Sequence, residues 1–148
     1  SPNSGFGVGT SLVTSSDAPG LDCAYKLQEY AGIPRRKRSE GKATWPGRKQ
    51  VFRIAAADGR FDHDILGMAS ERQPGTALLE PAMRGGARVA GTPGLEAARS
   101  RALSQLAQLP ERLRGLARAE PPYRVEVTAA LKSLAEEVDR RQREASNE

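Results

Sequence analysis

The feature that most constrains this chain is a glycine-rich turn close to its first residue. Gly5, Gly7 and Gly9 fall within five positions and are followed by Thr10 and Ser11. Glycine adopts positive φ and lets the backbone approach a ligand closely, so successive N–H groups in such a turn can form a concave anion site. A helix that begins at Thr10 or Ser11 would add unpaired N–H groups. The turn therefore indicates either a phosphate site or an ordinary chain reversal, and it lacks the lysine of a Walker-type loop.

Composition indicates a piece of a larger protein. Only 38% of the 148 residues are hydrophobic and 5% aromatic, while the chain holds 15 glycines and 10 prolines, which is lean for a unit with a single core. The first residue is not methionine, and no strand precedes the glycine turn, although phosphate loops of α/β folds follow a strand. We therefore expect the rest of an α/β unit to lie elsewhere.

Location and cysteine chemistry are constrained by what the sequence lacks. It contains no apolar run long enough to span a membrane and nothing that resembles a signal peptide. Its single cysteine, Cys23, cannot form an internal disulfide, which fits the cytoplasm. The only histidine, His63, lies 40 positions away with no motif around it. We therefore predict Cys23 to be a small packed residue and not a nucleophile.

Positive charge is concentrated in residues 26–53. The chain carries a net charge of +5, and this segment has two acidic residues against nine basic ones. The basic residues are Lys26, Arg35, Arg36, Lys37, Arg38, Lys42, Arg48, Lys49 and Arg53. Such a cluster can bind nucleic acid, or it can be a solvated face that meets a polyphosphate or an acidic protein. No helix-turn-helix or ribonucleoprotein motif accompanies it.

Periodicity predicts a small antiparallel β region followed by two helices. Strands are expected at residues 22–30, 35–39, 50–54, 65–68 and 87–89, with a hairpin turn at Asp58-Gly59. A first helix should begin at Thr92-Pro93 and stop or restart at Pro110, with one apolar face formed by Leu95, Ala98, Ala102, Leu106 and Leu109. A second should run over residues 128–142 with Leu131, Leu134, Ala135 and Val138 inward.

Several blocks, in this order and spacing, resemble the C-terminal part of nicotinate phosphoribosyltransferase. They are GFGVGTSLVT at residues 5–14, YKL at 25–27, KRSE at 37–40 and KATWPGRKQVFR at 42–53. The later pattern runs from PGLE at 93–96 through LP at 109–110 to PYRV at 122–125. The resemblance covers nearly the whole chain and is most specific in its first 53 residues.

This resemblance implies an enzyme that joins nicotinate to phosphoribosyl pyrophosphate with coupled ATP hydrolysis, in NAD salvage. It implies an α/β fold, the C-terminal fragment of an irregular type II phosphoribosyltransferase barrel with a small antiparallel β region and C-terminal helices. Residues 1–20 would end the barrel, 21–91 would form the basic β-rich region of a second domain, and 92–148 would form the helical region. ATP and Mg²⁺, a homodimer and a cytoplasmic location are also implied, without a membrane or nucleic acid as partner.

The resemblance also assigns the glycine turn to the 5′-phosphate of the substrate. The contacting residue falls on Thr10, with the backbone of Gly7 and Gly9 beside it. No catalytic residue and no metal ligand is carried over, because the family's phosphorylated histidine lies upstream and His63 does not stand in its motif. The fragment alone is therefore expected to be inactive. The alternative is an independent basic module that binds nucleic acid or an acidic protein.

For four basic side chains the resemblance marks the motif without fixing a role. They are Lys26, Lys42, Lys49 and Arg53. Each either approaches a phosphate or supports the β region, and we favour the structural role.

Overall fold

A computed structural model describes residues 25–89, 91, 93–115 and 117–145. Over these residues the chain is mixed α/β. The elements are β1 Glu29–Tyr30, β2 Ile33–Pro34, β3 Lys49–Ala55, β4 Phe61–Met68, β5 Thr76–Ala77, β6 Met83–Arg84, β7 Ala87–Arg88, α1 Leu95–Gln108, β8 Arg124–Val127 and α2 Ala129–Ala145. A short 3₁₀ helix, Glu111–Leu113, follows α1.

The largest sheet has four strands in the order β5-β3-β4-β8. Strands β3 and β4 form an antiparallel hairpin around the predicted Asp58-Gly59 turn, where Gly59 has a φ of 78°. The strands predicted at 50–54 and 65–68 are thereby confirmed, and the one at 87–89 corresponds to β7, which pairs with β6. Strand β8 was not predicted, and it pairs with β4 in parallel, so the sheet is mixed and not purely antiparallel.

A bulge in the β3–β4 hairpin decides which side chains share a face. Ile54 pairs with His63 and Ala55 pairs with Phe61, so the register passes over Asp62. Because side chains alternate between faces along a strand, the extra residue brings Phe61 to the face that carries Asp64. The phenylalanine ring can therefore lie next to the side chains of the neighbouring strand on that face.

Helix α2 supplies three of the five buried hydrophobic side chains among the described residues. Leu131, Ala135 and Val138 are buried at helical spacing, and Phe52 and Phe61 are the buried apolar side chains of the sheet. Helix α2 contacts β4. The helix predicted over 128–142 and its inward residues are confirmed, except that Leu134 is only half-buried.

The start of α2 is tied to the end of β4 through Glu71. The Thr128 hydroxyl accepts a hydrogen bond from the Leu131 N–H at 3.3 Å and donates to Glu71 Oε2 at 2.9 Å. The same carboxylate oxygen accepts from the N–H of Met68. Thr128 therefore acts as the N-cap of α2, and Glu71 holds that cap against the sheet.

The loop Trp45-Pro46-Gly47 packs against α2. Pro46 is fully buried, and a Cβ on Gly47 would lie 3.1 Å from Leu134 Cδ2. Gly47 also has a φ of 74°, a conformation that side chains rarely adopt. Glycine is thus required at this position by both its backbone conformation and its close approach to the helix.

Of two further predicted strands, the one at 22–30 is confirmed only at its end and the one at 35–39 is wrong, because contacts with loops occupy their backbone groups. Of residues 22–30, the structure describes 25–30, and only β1 is a strand there. The carbonyl of Gln28 accepts hydrogen bonds from the N–H groups of Arg35 and Gly47, which belong to loops. Residues 35–39 are also not a strand, since Lys37 exchanges hydrogen bonds with Thr44, through its N–H to the Thr44 hydroxyl and through its carbonyl to the Thr44 N–H.

Helix α1 differs from its prediction at its start. Its N-cap is Gly94, which has no side chain to cap the helix, so Pro93 lies outside the first turn. Thr92 lies outside the described residues. No residue of α1 is buried, so its apolar face is not packed into the core that the described residues form. The helix does end before Pro110, as predicted.

Two larger predictions are not tested by these elements. The barrel stays a prediction, as do the three boundaries 1–20, 21–91 and 92–148. Within the last of these ranges, strand β8 joins the sheet built by the middle one.

Candidate functional site

The residues predicted to bind phosphate, Gly7, Gly9 and Thr10, lie outside the described residues. Cys23 lies outside them as well. What the structure does describe is the basic segment that follows, and the geometry of its side chains separates cations used within the fold from cations open to a partner.

Lys49 is a structural cation. Its Nζ donates to Gln28 Oε1 at 2.8 Å, to the Trp45 carbonyl at 2.8 Å and to the Gly47 carbonyl at 2.6 Å. An ammonium group has three donors, and all three are used here. Burial lowers the pKa of Lys49, although the charge of Glu29 opposes that effect. Lys49 therefore holds the loop of residues 45–47 to the first described segment and has no donor left for a phosphate.

Arg53 is the centre of a polar network on one face of the sheet. Its guanidinium donates to both carboxylate oxygens of Asp64, at 2.9 and 2.8 Å, and lies 4.3 Å from the centre of the Phe61 ring. The Tyr123 hydroxyl donates to Asp64 Oδ1 at 2.9 Å. Asp64 is only 7% exposed, so three donors satisfy a buried carboxylate. This network joins β3, β4 and the segment before β8.

The network sets the charge states of its members. Burial alone would raise the pKa of the Asp64 carboxyl, but the hydrogen bonds from Arg53 and Tyr123 outweigh burial and hold that pKa below its ordinary value. The hydrogen bond to Asp64 raises the pKa of Arg53. Burial, together with the bond to Asp64, raises the pKa of Tyr123 to about 12. The Asp64 carboxylate and the Tyr123 phenol are thus fixed as acceptor and donor.

Tyr123 is expected to ionise near pH 12 in the folded chain. A raised pKa means that the folded state favours the neutral phenol, so its contribution is complete below the unfolded pKa of about 10 and is lost as the pH rises through about 12. The difference in tyrosinate absorbance between the wild type and Tyr123→Phe isolates this group. In urea-unfolded chains this absorbance difference should have its midpoint near pH 10. A midpoint near pH 10 in the folded chains as well would contradict the network.

The remaining ion pairs of the basic segment differ in exposure. Arg48 pairs with Glu29 at 2.8 Å, with the arginine mostly exposed. Arg36 and Arg38 both approach Asp139 of α2, at 3.7 and 3.5 Å. Together with Lys49 and Arg53, five of the nine basic side chains therefore serve the fold, which disfavours an independent nucleic-acid module.

Four basic side chains remain exposed. Lys26, Arg35, Lys37 and Lys42 form no ion pair with another described residue. Lys26 borders an open cavity of about 540 Å³, whose apolar walls include Tyr25, Tyr30 and Leu79. Of the four cations that the family motif marks, Lys26 and Lys42 are thus the two that remain available to an anion.

His63 belongs to a polar cluster between β4 and β8. Its Nδ1 lies 2.8 Å from Asp62 Oδ2 and 2.8 Å from Arg124 Nη2. The hydrogen bond with His63 lowers the pKa of Asp62. Arg124 also pairs with Glu126 at 3.0 Å. The His63 ring therefore contacts Asp62 and Arg124 within the sheet. Neither contact places a hydroxyl or a thiol nucleophile beside it.

The described residues contain neither a cluster of metal ligands nor a helix that could span a membrane. Within residues 25–145 and outside the gaps, no group of three or more His, Cys, Asp or Glu side chains is placed to hold a metal ion. No helix in the described part of the chain has both the length and the apolar character needed to cross a membrane.

Sequence reasoning missed the Tyr123 contact and strand β8. Residues 124–127 alternate arginine, valine, glutamate and valine, which is a strand pattern. Its position between two helices concealed it, because four residues form a stable strand only when a neighbour supplies the ladder. Here β4 supplies it, with Asp64 opposite Val125.

Three proteins that are similar to this chain in sequence are all nicotinate phosphoribosyltransferases. No family model matches the chain. It is 48% identical over 128 residues to nicotinate phosphoribosyltransferase pncB2 of Mycobacterium tuberculosis, which covers 86% of this chain and 27% of that relative. It is 40% identical over 124 residues to pncB1 of the same organism, covering 81% of this chain and 28% of the relative. Bovine nicotinate phosphoribosyltransferase is 44% identical over 71 residues, covering 47% and 13%.

A solved structure agrees with the sequence relatives. The crystal structure of human nicotinic acid phosphoribosyltransferase aligns with a TM-score of 0.64 at 25% identity, covering 78% of this chain and 26% of that one. The chain thus spans about a quarter of the length of the mycobacterial relatives and of the human structure. It is therefore homologous, in sequence and in fold, to one portion of the nicotinate phosphoribosyltransferases.

Proposed function

We propose that this chain is the C-terminal portion of a nicotinate phosphoribosyltransferase. The complete enzyme would join nicotinate to phosphoribosyl pyrophosphate, giving nicotinate mononucleotide and pyrophosphate with coupled ATP hydrolysis, as a step of NAD salvage. The observation that carries this proposal is the 48% identity to the mycobacterial pncB2 enzyme over 86% of this chain. The basic-module alternative has no comparable support.

In this proposal the chain contributes the 5′-phosphate site. Phosphoribosyl transfer builds positive charge on the sugar as pyrophosphate leaves, so the enzyme must hold the 5′-phosphate and the pyrophosphate rigidly in place. The backbone N–H groups of Gly7 and Gly9 and the Thr10 hydroxyl would hold the first of these groups. The glycine spacing supports this role, since such turns form anion sites. The described sheet and helices would support the turn from the second domain.

The remaining parts of the activity are assigned to the portion of the enzyme that this chain does not match. The described residues offer no cluster for Mg²⁺. We place the sites for ATP and Mg²⁺, the catalytic histidine and most nicotinate contacts in that other portion. We also propose that the isolated chain is inactive and that the complete enzyme is a cytoplasmic homodimer.

A chimeric enzyme tests the proposal. This chain would replace the matching 27% of the Mycobacterium tuberculosis pncB2 polypeptide. We expect the chimera to release pyrophosphate from phosphoribosyl pyrophosphate in a nicotinate-dependent manner, and the isolated chain to release none. A folded chimera without this activity would contradict the assigned function, and an isolated chain as fast as the chimera would contradict the division of the site.

Thr10→Ala in the chimera is expected to lower kcat/KM for phosphoribosyl pyrophosphate. The fall should correspond to a loss of transition-state stabilisation of about 1–3 kcal/mol, the scale of a lost hydrogen bond to a charged group. Steady-state kinetics with varied phosphoribosyl pyrophosphate measure it. Thr14→Ala is the matched control, since it removes the same hydroxyl from the same segment at a position with no assigned role. Equal kinetics of the Thr10 variant and the control would remove Thr10 from the site.

A further inference from the structure

Helix α1 presents its leucines to solvent. Leu95, Leu103 and Leu106 are 83%, 58% and 53% exposed. Successive helical residues are separated by about 100° around the axis, so these three leucines fall within an arc of about 80°. We name this arc the leucine face. An amphipathic helix normally buries such a face, and this one leaves it open.

The opposite side of α1 is polar, and it faces the chain's own sheet. Gln105 and Gln108 line a cavity of about 190 Å³ together with Arg53 and Phe61. Arg101 lines a second cavity, of about 460 Å³, against residues 78–82. The residues of α1 that are covered best are Ala98 and Gln105 on this side, and both are only half-buried. The helix is therefore oriented with its polar side toward the sheet and its leucines away from it.

Local interactions within α1 do not replace the stability that packing of its apolar face would provide. Its N-cap, Gly94, makes no side-chain hydrogen bond, and its last turn holds no basic residue. Arg114 donates to the carbonyls of Ala107 and Leu109, which satisfies only the C-terminal end. Because an isolated helix of about 14 residues is marginal in water, α1 needs packing on its apolar face to be stable.

We propose that the leucine face docks against the portion of a nicotinate phosphoribosyltransferase that this chain does not match. The inference rests on the proposed function, because it takes the remainder of that enzyme as the occupant. About three quarters of the pncB2 polypeptide lies outside the match, and this portion is the proposed occupant. Arg99 is exposed on the same arc, so the docking surface should be apolar with an acidic side chain beside it.

A second copy of this chain is the less suitable occupant. A 14-residue helix is about 21 Å long, and a stripe of three leucines on it offers on the order of 200 Å². A stable interface between separate proteins buries about 800 Å² on each partner. The leucine face is too small to hold a dimer together, but it suffices as one contact within a larger protein.

Hydrogen exchange of the α1 backbone amides, measured in the isolated chain and in the chimera, tests the inference. We expect the amides to exchange at least tenfold more slowly in the chimera. Leu103→Glu with Leu106→Glu should return them to the rate of the isolated chain. The matched control, Ser100→Glu with Ser104→Glu, adds the same charges at exposed positions between the leucine face and the polar side of α1 and should keep the protection. Circular dichroism of the isolated variants checks that both pairs leave the helix intact.

The activity of the chimera separates this inference from the proposed function. An active chimera with unprotected α1 overturns the inference alone, and an inactive chimera with leucine-dependent protection supports the inference while the function fails. Loss of protection in the control pair as well overturns the assignment to the leucine face. Protection that appears in the isolated chain at high concentration, and disappears in the leucine pair, assigns the face to a second copy and overturns the choice of occupant.

Discussion

Replacing Leu131 with alanine is expected to lower the free energy of unfolding by about 3–4 kcal/mol. Leu131 is completely buried on α2, at 0% exposure, and Ala135 and Val138 are buried beside it at helical spacing. Removing its side chain loses the transfer free energy of the buried methyl groups and leaves a cavity between helix and sheet. The change can be measured by urea unfolding, with the fluorescence of the single tryptophan, Trp45, as the signal. Trp45 belongs to the loop that packs on α2, so its fluorescence reports on this part of the fold.

Lys132→Ala is the matched control for this substitution. Lys132 is the next residue on the same helix and is exposed. Its replacement removes a side chain of similar length without opening a cavity, so the free energy of unfolding should change by less than about 0.5 kcal/mol. Equal effects of the two substitutions would show that α2 is not packed on the sheet through Leu131.

The parts of the fold that were predicted correctly are those with local signals. The hairpin of β3 and β4 has two apolar runs around a turn that favours glycine, and α2 has a threonine cap and apolar residues at helical spacing. Each of these patterns lies within a few residues along the chain. No knowledge of distant contacts was needed to interpret them.

The incorrect predictions concern elements whose environment lies elsewhere. The apolar stripe of α1 shows that the helix is amphipathic, but it does not show which neighbour covers that stripe. The segment at 22–30 alternates like a strand and the basic run at 35–39 was predicted as a short one, but the hydrogen bonds of Gln28 and Lys37 go to loops. Strand β8 depends on a partner that lies about sixty positions earlier, so its four residues carried too little signal.

The candidate site was predictable from sequence only as residue types in a motif. The family pattern marks Lys49 and Arg53 without distinguishing a phosphate ligand from a structural cation. The geometry makes that distinction. All three donors of Lys49 form hydrogen bonds within the fold, and the Arg53 guanidinium donates to both carboxylate oxygens of Asp64. The assignment of Thr10 stays a prediction, since it lies outside the described residues.

Asp64→Ala is expected to lower the free energy of unfolding by about 3 kcal/mol at neutral pH, the scale of breaking a buried ion pair from one side. The substitution leaves the Arg53 guanidinium and the Tyr123 hydroxyl without the acceptor that they share. The Arg53 charge then lies partly buried over the Phe61 ring with no counter-charge from Asp64. Urea unfolding of the wild type and the variant measures the loss. Glu144→Ala is the control, because it removes the acid of the exposed Arg140–Glu144 pair and should cost less than about 0.5 kcal/mol.

The pH dependence of this difference identifies the carboxylate as its source. The pKa of Asp64 is lower in the folded chain than in the unfolded one, so the folded state favours the ionised form. Its contribution is present above the unfolded pKa of about 4 and is lost as the pH falls through the lower folded value. The gap between the wild type and Asp64→Ala should therefore be constant near neutrality and should narrow below about pH 4. A gap that stays the same in acid would mean that Asp64 acts through packing and not through its charge.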